Sequence, residues 1–212
     1  MLTRNQAKIT FDFHQSLLAV VLLCGIALLL SLPPARQVRT FEKLSLFSNL
    51  PIYFYAHSLL LGIFGLNTGT LSARSRECGW LLVPLFVTRI AIAQIGALPY
   101  FVVQSALHPA NEVSLILVVL YTTLVSLALA LFGKAVENPE NSLVNHAFPI
   151  KYGVFILYYV GPLPFLPLAS PLGGAASLIS QGFAPLTFAV PIGLLLGIGF
   201  LSFLKTRSDH RV

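Results

Sequence analysis

The sequence predicts an all-α, polytopic membrane protein with about six transmembrane helices, and its composition and apolar runs carry that prediction. Only 9% of the 212 residues are charged, against roughly 25% in an ordinary soluble domain, and the mean hydropathy is +0.84. The apolar runs lack the alternation of barrel strands, which favours helices that satisfy their own backbone hydrogen bonds. No low-complexity linker or matching internal repeat divides residues 1–212, so a single transmembrane domain is expected.

Six apolar runs are the candidate spans, at residues 17–32, 52–66, 90–107, 113–132, 152–168 and 178–204. Most of them approach the length of about 20 residues that a spanning helix needs, and they end at charged, Pro or Gly residues. Residues 8–14, ahead of the first run, mix charges with aromatic side chains and predict an N-terminal interfacial helix. An alternative for the first run is a secretory signal cleaved after Ala35.

The basic residues predict that both termini are cytoplasmic. With the N-terminus inside, the outer side carries only Arg36, Arg39 and Lys43 of the 13 Lys and Arg residues, as the positive-inside rule requires. This bias favours an even number of spans in the plasma (inner) membrane. The net charge of +6 is scattered along the chain, so it predicts contact with anionic lipid head groups rather than nucleic acid. Cys24 and Cys78 form no CxxC pair and predict no disulfide.

The connection between the second and third runs is the most informative segment for function. Residues 72–90 read SARSRECGWLLVPLFVTRI. Charged residues, a Gly and a short amphipathic run containing Pro84 predict a short cytoplasmic helix along the membrane surface. Such an element can receive a push from a partner protein and transmit it into two spanning helices. The alternative is an ordinary basic connection that obeys the positive-inside rule.

This segment resembles the loop between the second and third spans in the type-2 family of ABC transporter membrane subunits. In that family an Arg/Glu pair is followed by Gly, an apolar run containing Pro, and the third helix. The corresponding places are occupied here by Arg76, Glu77, Gly79, Pro84 and Ile90. Chain length, the amphipathic N-terminal segment and the Pro- and Gly-rich residues 161–174 extend the resemblance over most of the chain.

The resemblance implies the permease subunit of an ATP-driven exporter, in which the first four of these residues couple the subunit to a cytoplasmic ATPase. It also implies a second permease copy or a related membrane chain, and re-entry of residues 161–174 into the membrane from outside. The chain has no phosphate-binding loop, because Gly133 and Lys134 are followed by Ala135. ATP and Mg²⁺ are therefore expected in the partner, with no cofactor and no enzymatic activity in this chain.

A few polar residues within the runs are candidates for a translocation pathway, namely His57, Gln94, Gln104 and Tyr121. An ionisable group inside a membrane helix is by default a functional candidate. His57, close to Tyr53, could instead belong to an aromatic interfacial belt or bond a backbone carbonyl. The two glutamines and Tyr121 either line a path or hydrogen-bond to neighbouring helices.

Glu137, Glu140 and His146 are close in sequence, but their spacing in a turn-rich segment matches no metal pattern, so no metal site is expected. The sequence also lacks the HExxH and GxSxG motifs of hydrolytic enzymes. Two alternatives to an exporter subunit remain open. One is a structural or assembly subunit of a larger membrane complex without transport activity. The other is a secondary transporter, which the lack of charged residues at the span centres disfavours.

Overall fold

The computed structural model describes residues 4–31, 52–75, 82–107, 112–137, 146–181 and 185–209. These residues form seven α-helices and one short 3₁₀ helix, and no strand occurs among them. In chain order the α-helices are α1 (Arg4–Ser31), α2 (Ile52–Arg74), α3 (Leu82–Leu107), α4 (Glu112–Glu137), α5 (Ala147–Val160), α6 (Pro171–Gln181) and α7 (Pro185–Asp209). The 3₁₀ helix, Pro167–Ala169, lies between α5 and α6.

Three helices are long and apolar enough to cross a membrane, through their segments Asp12–Ser31, Leu82–Ala106 and Val113–Glu137. Large apolar side chains on these helices point away from the bundle, including Leu29, Ile95 and Ile116. Exposed apolar surface on this scale is unfavourable in water but suits contact with lipid tails. The all-helical class is therefore confirmed for the described residues, and the three helices fit a protein embedded in a bilayer.

Helix α2 is the central helix of the bundle. None of its side chains from Tyr53 to Ala73 is exposed, whereas Arg74 at its end is. The helix packs against α1, α3, α4 and α6. Its burial explains how a 23-residue helix can carry His57, Asn67 and several Ser and Thr residues, because these groups face protein rather than lipid.

Small residues bring α2 and α4 unusually close together. A Cβ atom on Gly65 would overlap the backbone carbonyl of Ser126, and one on Gly69 would overlap that of Ala130. Gly65 and Gly69 have the GxxxG spacing that lets membrane helices approach backbone to backbone. We call this contact the small-residue seam.

The N-terminal part of the chain differs from the prediction. Helix α1 runs without interruption from Arg4 to Ser31, so residues 8–14 do not form a separate interfacial helix. No Pro or Gly precedes Gly25 in this segment, which leaves nothing to break the helix between the polar and apolar parts. The ring of Phe13 packs at 5.8 Å from that of Phe64 on α2 and lies 5.5 Å from the Arg89 guanidinium.

The second and third predicted runs were too short. Helix α2 begins at Ile52 as predicted, but it continues eight residues beyond Leu66 to Arg74. Helix α3 begins at Leu82, so residues 82–89 are the first turns of this helix and not a separate surface helix. Pro84 lies in the first turn, where its missing N–H leaves no helical hydrogen bond unmade. Only residues 75–81 remain between the two helices, and of these residues 76–81 lie outside the described residues.

The last two predicted runs were wrong in their boundaries. The fifth run does not extend to residue 168, because α5 ends at Val160 and prolines follow at 162, 164 and 167. The sixth run is divided, since α6 ends at Gln181 and α7 begins at Pro185. Helix α6 packs against α2 and α4, with Ala175 and Leu178 fully buried. Membrane re-entry of residues 161–174 stays a prediction.

Candidate functional site

The four predicted coupling residues are only partly described. Arg76, Glu77 and Gly79 lie outside the described residues, so their coupling role stays a prediction. Pro84 is exposed in the first turn of α3, where its carbonyl accepts a 2.8 Å hydrogen bond from the Thr88 hydroxyl. The structure does describe α2, the helix that precedes the connection to α3, and the contacts that hold its last turns to neighbouring helices.

An ionic cluster joins α2, α4 and α5 at the end of the bundle next to residues 76–81. Arg74 donates to Glu137 Oε1 through its Nη2 at 2.7 Å and its Nε at 3.0 Å. Lys151 Nζ donates to Glu137 Oε2 at 2.6 Å and to Thr70 Oγ1 at 3.0 Å. We call this end, with its residues Thr70, Arg74, Glu137 and Lys151, the charge-rich end.

Burial differs sharply within this cluster. The side chain of Lys151 is only 7% exposed and that of Glu137 is 12% exposed, whereas Arg74 is 61% exposed. A buried ammonium group is tolerated only where a carboxylate and further acceptors replace its hydration. The Glu137–Lys151 pair is therefore the structural core of the cluster, and Arg74 covers it from the solvent side. A hydrogen bond from Tyr152 to Asn67, at 3.3 Å, adds a further link between α5 and α2.

Both carboxylate oxygens of Glu137 are thus committed to cations of the chain itself. Among the residues that the structure describes, no group of three His, Cys, Asp or Glu side chains is placed to hold a metal ion. His146 is exposed just before α5, and Glu140 lies outside the described residues.

His57 occupies a different environment, on the half of α2 away from the charge-rich end. It is 1% exposed, and its ring lies 5.1 Å from that of Phe101 and 5.8 Å from that of Tyr53. Tyr53 is itself buried, and its hydroxyl donates to the Ala97 carbonyl on α3 at 3.3 Å. These residues face the interior of the bundle rather than its outer surface, and a place for His57 in an interfacial belt stays a prediction.

Neither ring nitrogen of His57 has a hydrogen-bond partner, which also excludes the predicted bond to a backbone carbonyl. Among the described residues, four buried side-chain atoms lack a partner, and two of them belong to this single imidazole. Leaving a buried polar group unpaired costs about 1–3 kcal/mol. Among the described residues, His57 is therefore the side chain with the most buried polar atoms that lack a hydrogen-bond partner.

Gln94 lies beside His57 and also bonds to α4. Its Nε2 donates to the hydroxyls of Thr122 and Thr123 on α4, at 2.9 and 3.2 Å. The Gln94 side chain also lies beside the imidazole of His57, and the hydrogen bond between the two is weak, since it falls outside strict hydrogen-bond geometry. Gln94 joins α3 to α4, as interhelical polar residues in membranes commonly do.

A cavity of about 140 Å³ lies between α2, α3 and α4 and brings two of the predicted pathway residues together. Its walls are His57, Gln94, Ile95, Leu98, Phe101 and Val119. Gln94 lies at the centre of the 26-residue helix α3. The cavity is therefore level with the middle of this helix. Ile95 and Leu98 are 67% and 47% exposed, so the cavity reaches the outer surface of the bundle on the α3 face.

The other two predicted pathway residues lie elsewhere. Gln104 is buried and accepts a 2.6 Å hydrogen bond from the Ser31 hydroxyl at the end of α1. Tyr121 is fully buried, where its ring packs edge to face on Phe188 of α7 at 5.7 Å and its hydroxyl fills the space beside Gly174. The prediction of interhelical hydrogen bonding is confirmed for Gln94 and Gln104, and neither Gln104 nor Tyr121 lines the cavity.

The ionic cluster is not among the features that the sequence predicts. By the positive-inside rule Lys151 is simply one of the charges that orient the chain, although it is followed directly by the apolar segment of α5. A single Lys at the start of an apolar helix, with a Glu at the end of the preceding one, is the signal that could have identified the pair.

Comparison with known proteins finds no relative: no family model, curated protein or solved structure matches the chain.

Proposed function

We propose that this chain is the membrane-spanning permease subunit of an ATP-driven exporter of the type-2 ABC class, and that a separate cytoplasmic chain binds ATP. The observation that carries the proposal is the anchorage of α2 at the charge-rich end. The segment that bears Arg76, Glu77 and Gly79 begins two residues after Arg74, which is bonded to Glu137.

Mechanical coupling requires that a push on a short connection moves a rigid group of helices. The Glu137–Lys151 pair fixes α4 to α5, while Thr70 and Arg74 fix both to α2. The small-residue seam locks α2 against α4 further along the same helices. A displacement of residues 76–81 would therefore move α2, α4 and α5 together rather than bend one helix.

The proposed topology has six membrane segments in the plasma (inner) membrane, with both termini in the cytoplasm. Helices α1, α3 and α4 meet the length and hydropathy of spanning helices, and α2 adds a fourth because its polar groups are buried. Helix α5 is only 14 residues long, about 21 Å, so the turn after it would complete the fifth segment. Helix α7 would supply the sixth.

The proposal assigns the energy source to other chains. Two cytoplasmic ATPases would dock on residues 72–89, and a second permease copy or a related membrane subunit would complete the pathway. ATP and Mg²⁺ would bind only in the ATPases.

The first test is to isolate the C-terminally tagged chain from native membranes in mild detergent and identify stoichiometric partners by mass spectrometry. A P-loop ATPase in equal amount is the expected result. Recovery with other membrane proteins and without an ATPase would overturn the proposal and favour the structural or assembly subunit.

The second test uses charge reversal in the isolated complex. Glu77→Arg is expected to abolish most of the stimulation of ATP hydrolysis by the permease, because it reverses the charge of the proposed docking segment. Glu140→Arg, the same reversal in the connection between α4 and α5, is the matched control and should leave hydrolysis unchanged. Equal hydrolysis by both variants and the wild type would contradict a coupling role for residues 76–81.

A further inference from the structure

The chain between α5 and α6 forms a Pro-rich loop whose two ends meet. We call residues 161–170 the proline loop. The Ser170 hydroxyl donates to the Tyr159 carbonyl at 2.5 Å, so the chain returns at Ser170 to the last turn of α5. The Tyr159 hydroxyl in turn donates to the Ser58 carbonyl at 2.9 Å. The base of the loop is therefore fixed to α2.

The loop leaves almost no backbone donor unpaired. Residues 162, 164 and 167 are prolines, which have no N–H group. Of the seven remaining residues, all except Leu168 donate their N–H to a carbonyl three or four positions earlier in the chain. An unpaired backbone N–H is strongly unfavourable where water is scarce. This pattern therefore suits a loop in contact with lipid better than one that extends into water.

The carbonyl groups at the apex of the loop are not paired in the same way. Those of Leu163, Pro164 and Phe165 accept no backbone hydrogen bond from the residues that the structure describes. In the hydrocarbon core such carbonyls would lack a partner, so the apex needs water or lipid head groups within reach. Paired donors and unpaired acceptors together indicate the membrane surface, where water and acyl chains meet.

The side chains at the apex are apolar and point away from the protein. Phe165 is 89% exposed and Leu166 is 52% exposed, and no residue from 161 to 169 is charged or has a hydroxyl group. Large apolar side chains exposed together are unfavourable in water. Among acyl chains just below the head groups they are favourable, as Phe and Leu are in interfacial segments.

The contacts of the loop place its apex near the end of α2 that is opposite the charge-rich end. Ser58, which holds the base, is six residues from the start of α2 at Ile52, or about 9 Å inside that end. Residues 161–166 continue from α5 in successive turns and supply roughly 9 Å of further rise. Helix α5 alone has 14 residues, about 21 Å, which is short of the roughly 30 Å hydrocarbon core.

We propose that the apex of the proline loop is a lipid anchor. Phe165 and Leu166 insert among the acyl chains just below the head groups, at the membrane surface opposite the charge-rich end, while the apex carbonyls face water and head groups. The anchor sets the depth of α5, which is too short to cross the membrane by itself. It is a property of this chain alone, so its failure would leave the exporter proposal standing.

The experiment measures depth by electron paramagnetic resonance of a nitroxide on the full-length chain in phosphatidylcholine vesicles. Cys78→Ala leaves only Cys24, which is fully buried, so this variant should take up no label. Phe165→Cys is then added and labelled. Collisions of the nitroxide with oxygen, which concentrates in hydrocarbon, are compared with collisions with a water-soluble nickel chelate. Both reagents should reach the label, at a depth of about 5–10 Å below the lipid phosphates.

Two matched positions calibrate the depth scale. Leu157→Cys labels an apolar side chain of α5 that is 68% exposed, eight residues before Phe165. Its label should lie about 12 Å deeper than the label at the apex. Ile95→Cys, at the centre of α3 and 67% exposed, should lie near the middle of the bilayer. Both labels should collide with oxygen and hardly at all with the nickel chelate.

Three outcomes would overturn the proposal. The first is a label at position 165 that meets the nickel chelate as freely as a label on a soluble peptide, which would place the loop in water. The second is a label there as deep as that at position 157, which would place the apex in the hydrocarbon core. The third is a label that neither reagent reaches, which would mean that a protein surface covers the apex. If Phe165→Cys does not fold, Leu166→Cys at the same apex decides the question.

Discussion

Two buried polar regions on α2 differ in how completely their groups are paired. At the charge-rich end, Lys151 and both oxygens of Glu137 have partners within 3.0 Å. In the cavity near the other end of the helix, His57 is as deeply buried and has none. The comparison separates two uses of polarity in a membrane bundle. Paired groups hold helices together, whereas the imidazole of His57 is buried without a strong hydrogen bond to offset the loss of its hydration.

This difference implies opposite effects of substitution on stability. Removing one partner of a buried ion pair leaves an uncompensated charge. Removing a buried polar group that never had a partner relieves a desolvation cost. The contrast is measured by the midpoint of thermal denaturation in detergent, converted to a free energy of unfolding relative to the wild type.

The largest effect is expected for Glu137→Ala. The variant leaves the Lys151 ammonium buried without a carboxylate, which should lower the free energy of unfolding by about 3 kcal/mol. Adding Lys151→Met to Glu137→Ala should restore much of the loss, because the orphaned charge is then removed. A double variant no more stable than Glu137→Ala would contradict the assignment of the pair as the structural core of the charge-rich end.

Gly69→Ala tests the small-residue seam that connects the two regions. Its new methyl group would overlap the Ala130 carbonyl, so α2 and α4 must separate at a cost of about 2 kcal/mol. The matched control is Gly153→Ala on α5, where a Cβ meets nothing within 4 Å. That control should raise stability by up to about 1 kcal/mol through helix propensity. Equal effects of the two substitutions would argue against close contact at the seam.

His57→Leu is expected to change stability in the opposite direction. Replacing an unpartnered buried imidazole by an apolar side chain should raise the free energy of unfolding by about 1 kcal/mol. Phe101→Leu, in the same cavity wall, removes no polar group and should lower stability instead. A clear loss of stability in His57→Leu would mean that the imidazole is already satisfied.

The smallest effect is expected for Arg74→Gln. Although Arg74 bonds the same carboxylate as Lys151, its side chain is 61% exposed, and exposed ion pairs contribute about 0.5 kcal/mol. The salt dependence of the thermal midpoint should fall in this variant, because salt screens exposed pairs more than buried ones. A loss as large as that of Glu137→Ala would show that burial does not divide the cluster as described.

Sequence reasoning succeeded where a local signal was strong. Long apolar runs predicted the helical class and the beginning of α2 at Ile52. It placed helix ends poorly because α2 continues through the polar residues 67–74, which hydropathy assigns to a connection. Those residues are helical because neighbouring helices satisfy them, as Thr70 and Asn67 illustrate. The division of the last run into α6, which ends at Gln181, and α7, which begins at Pro185, was missed because the residues of both helices are as apolar as a span.

For the candidate site, the sequence singled out His57 and Gln94 but could not show that they share a cavity, since they lie on different helices 37 positions apart. It treated Gln104 and Tyr121 as their equals, although their partners on α1 and α7 give them separate roles. The coupling role of residues 76–81 rests on their sequence motif and stays a prediction.

What the sequence determined by itself is the solvent of this protein: its few charges and long apolar runs require helices in a membrane. Only the tertiary structure decided which polar side chains are paired across helices and which are not. Hydropathy depends on residue type alone, whereas hydrogen-bond partners depend on which helices meet. Lys151 and His57 are both buried and polar. The difference between them is that Glu137 lies 2.6 Å from the first, whereas no group meets strict hydrogen-bond geometry with the second.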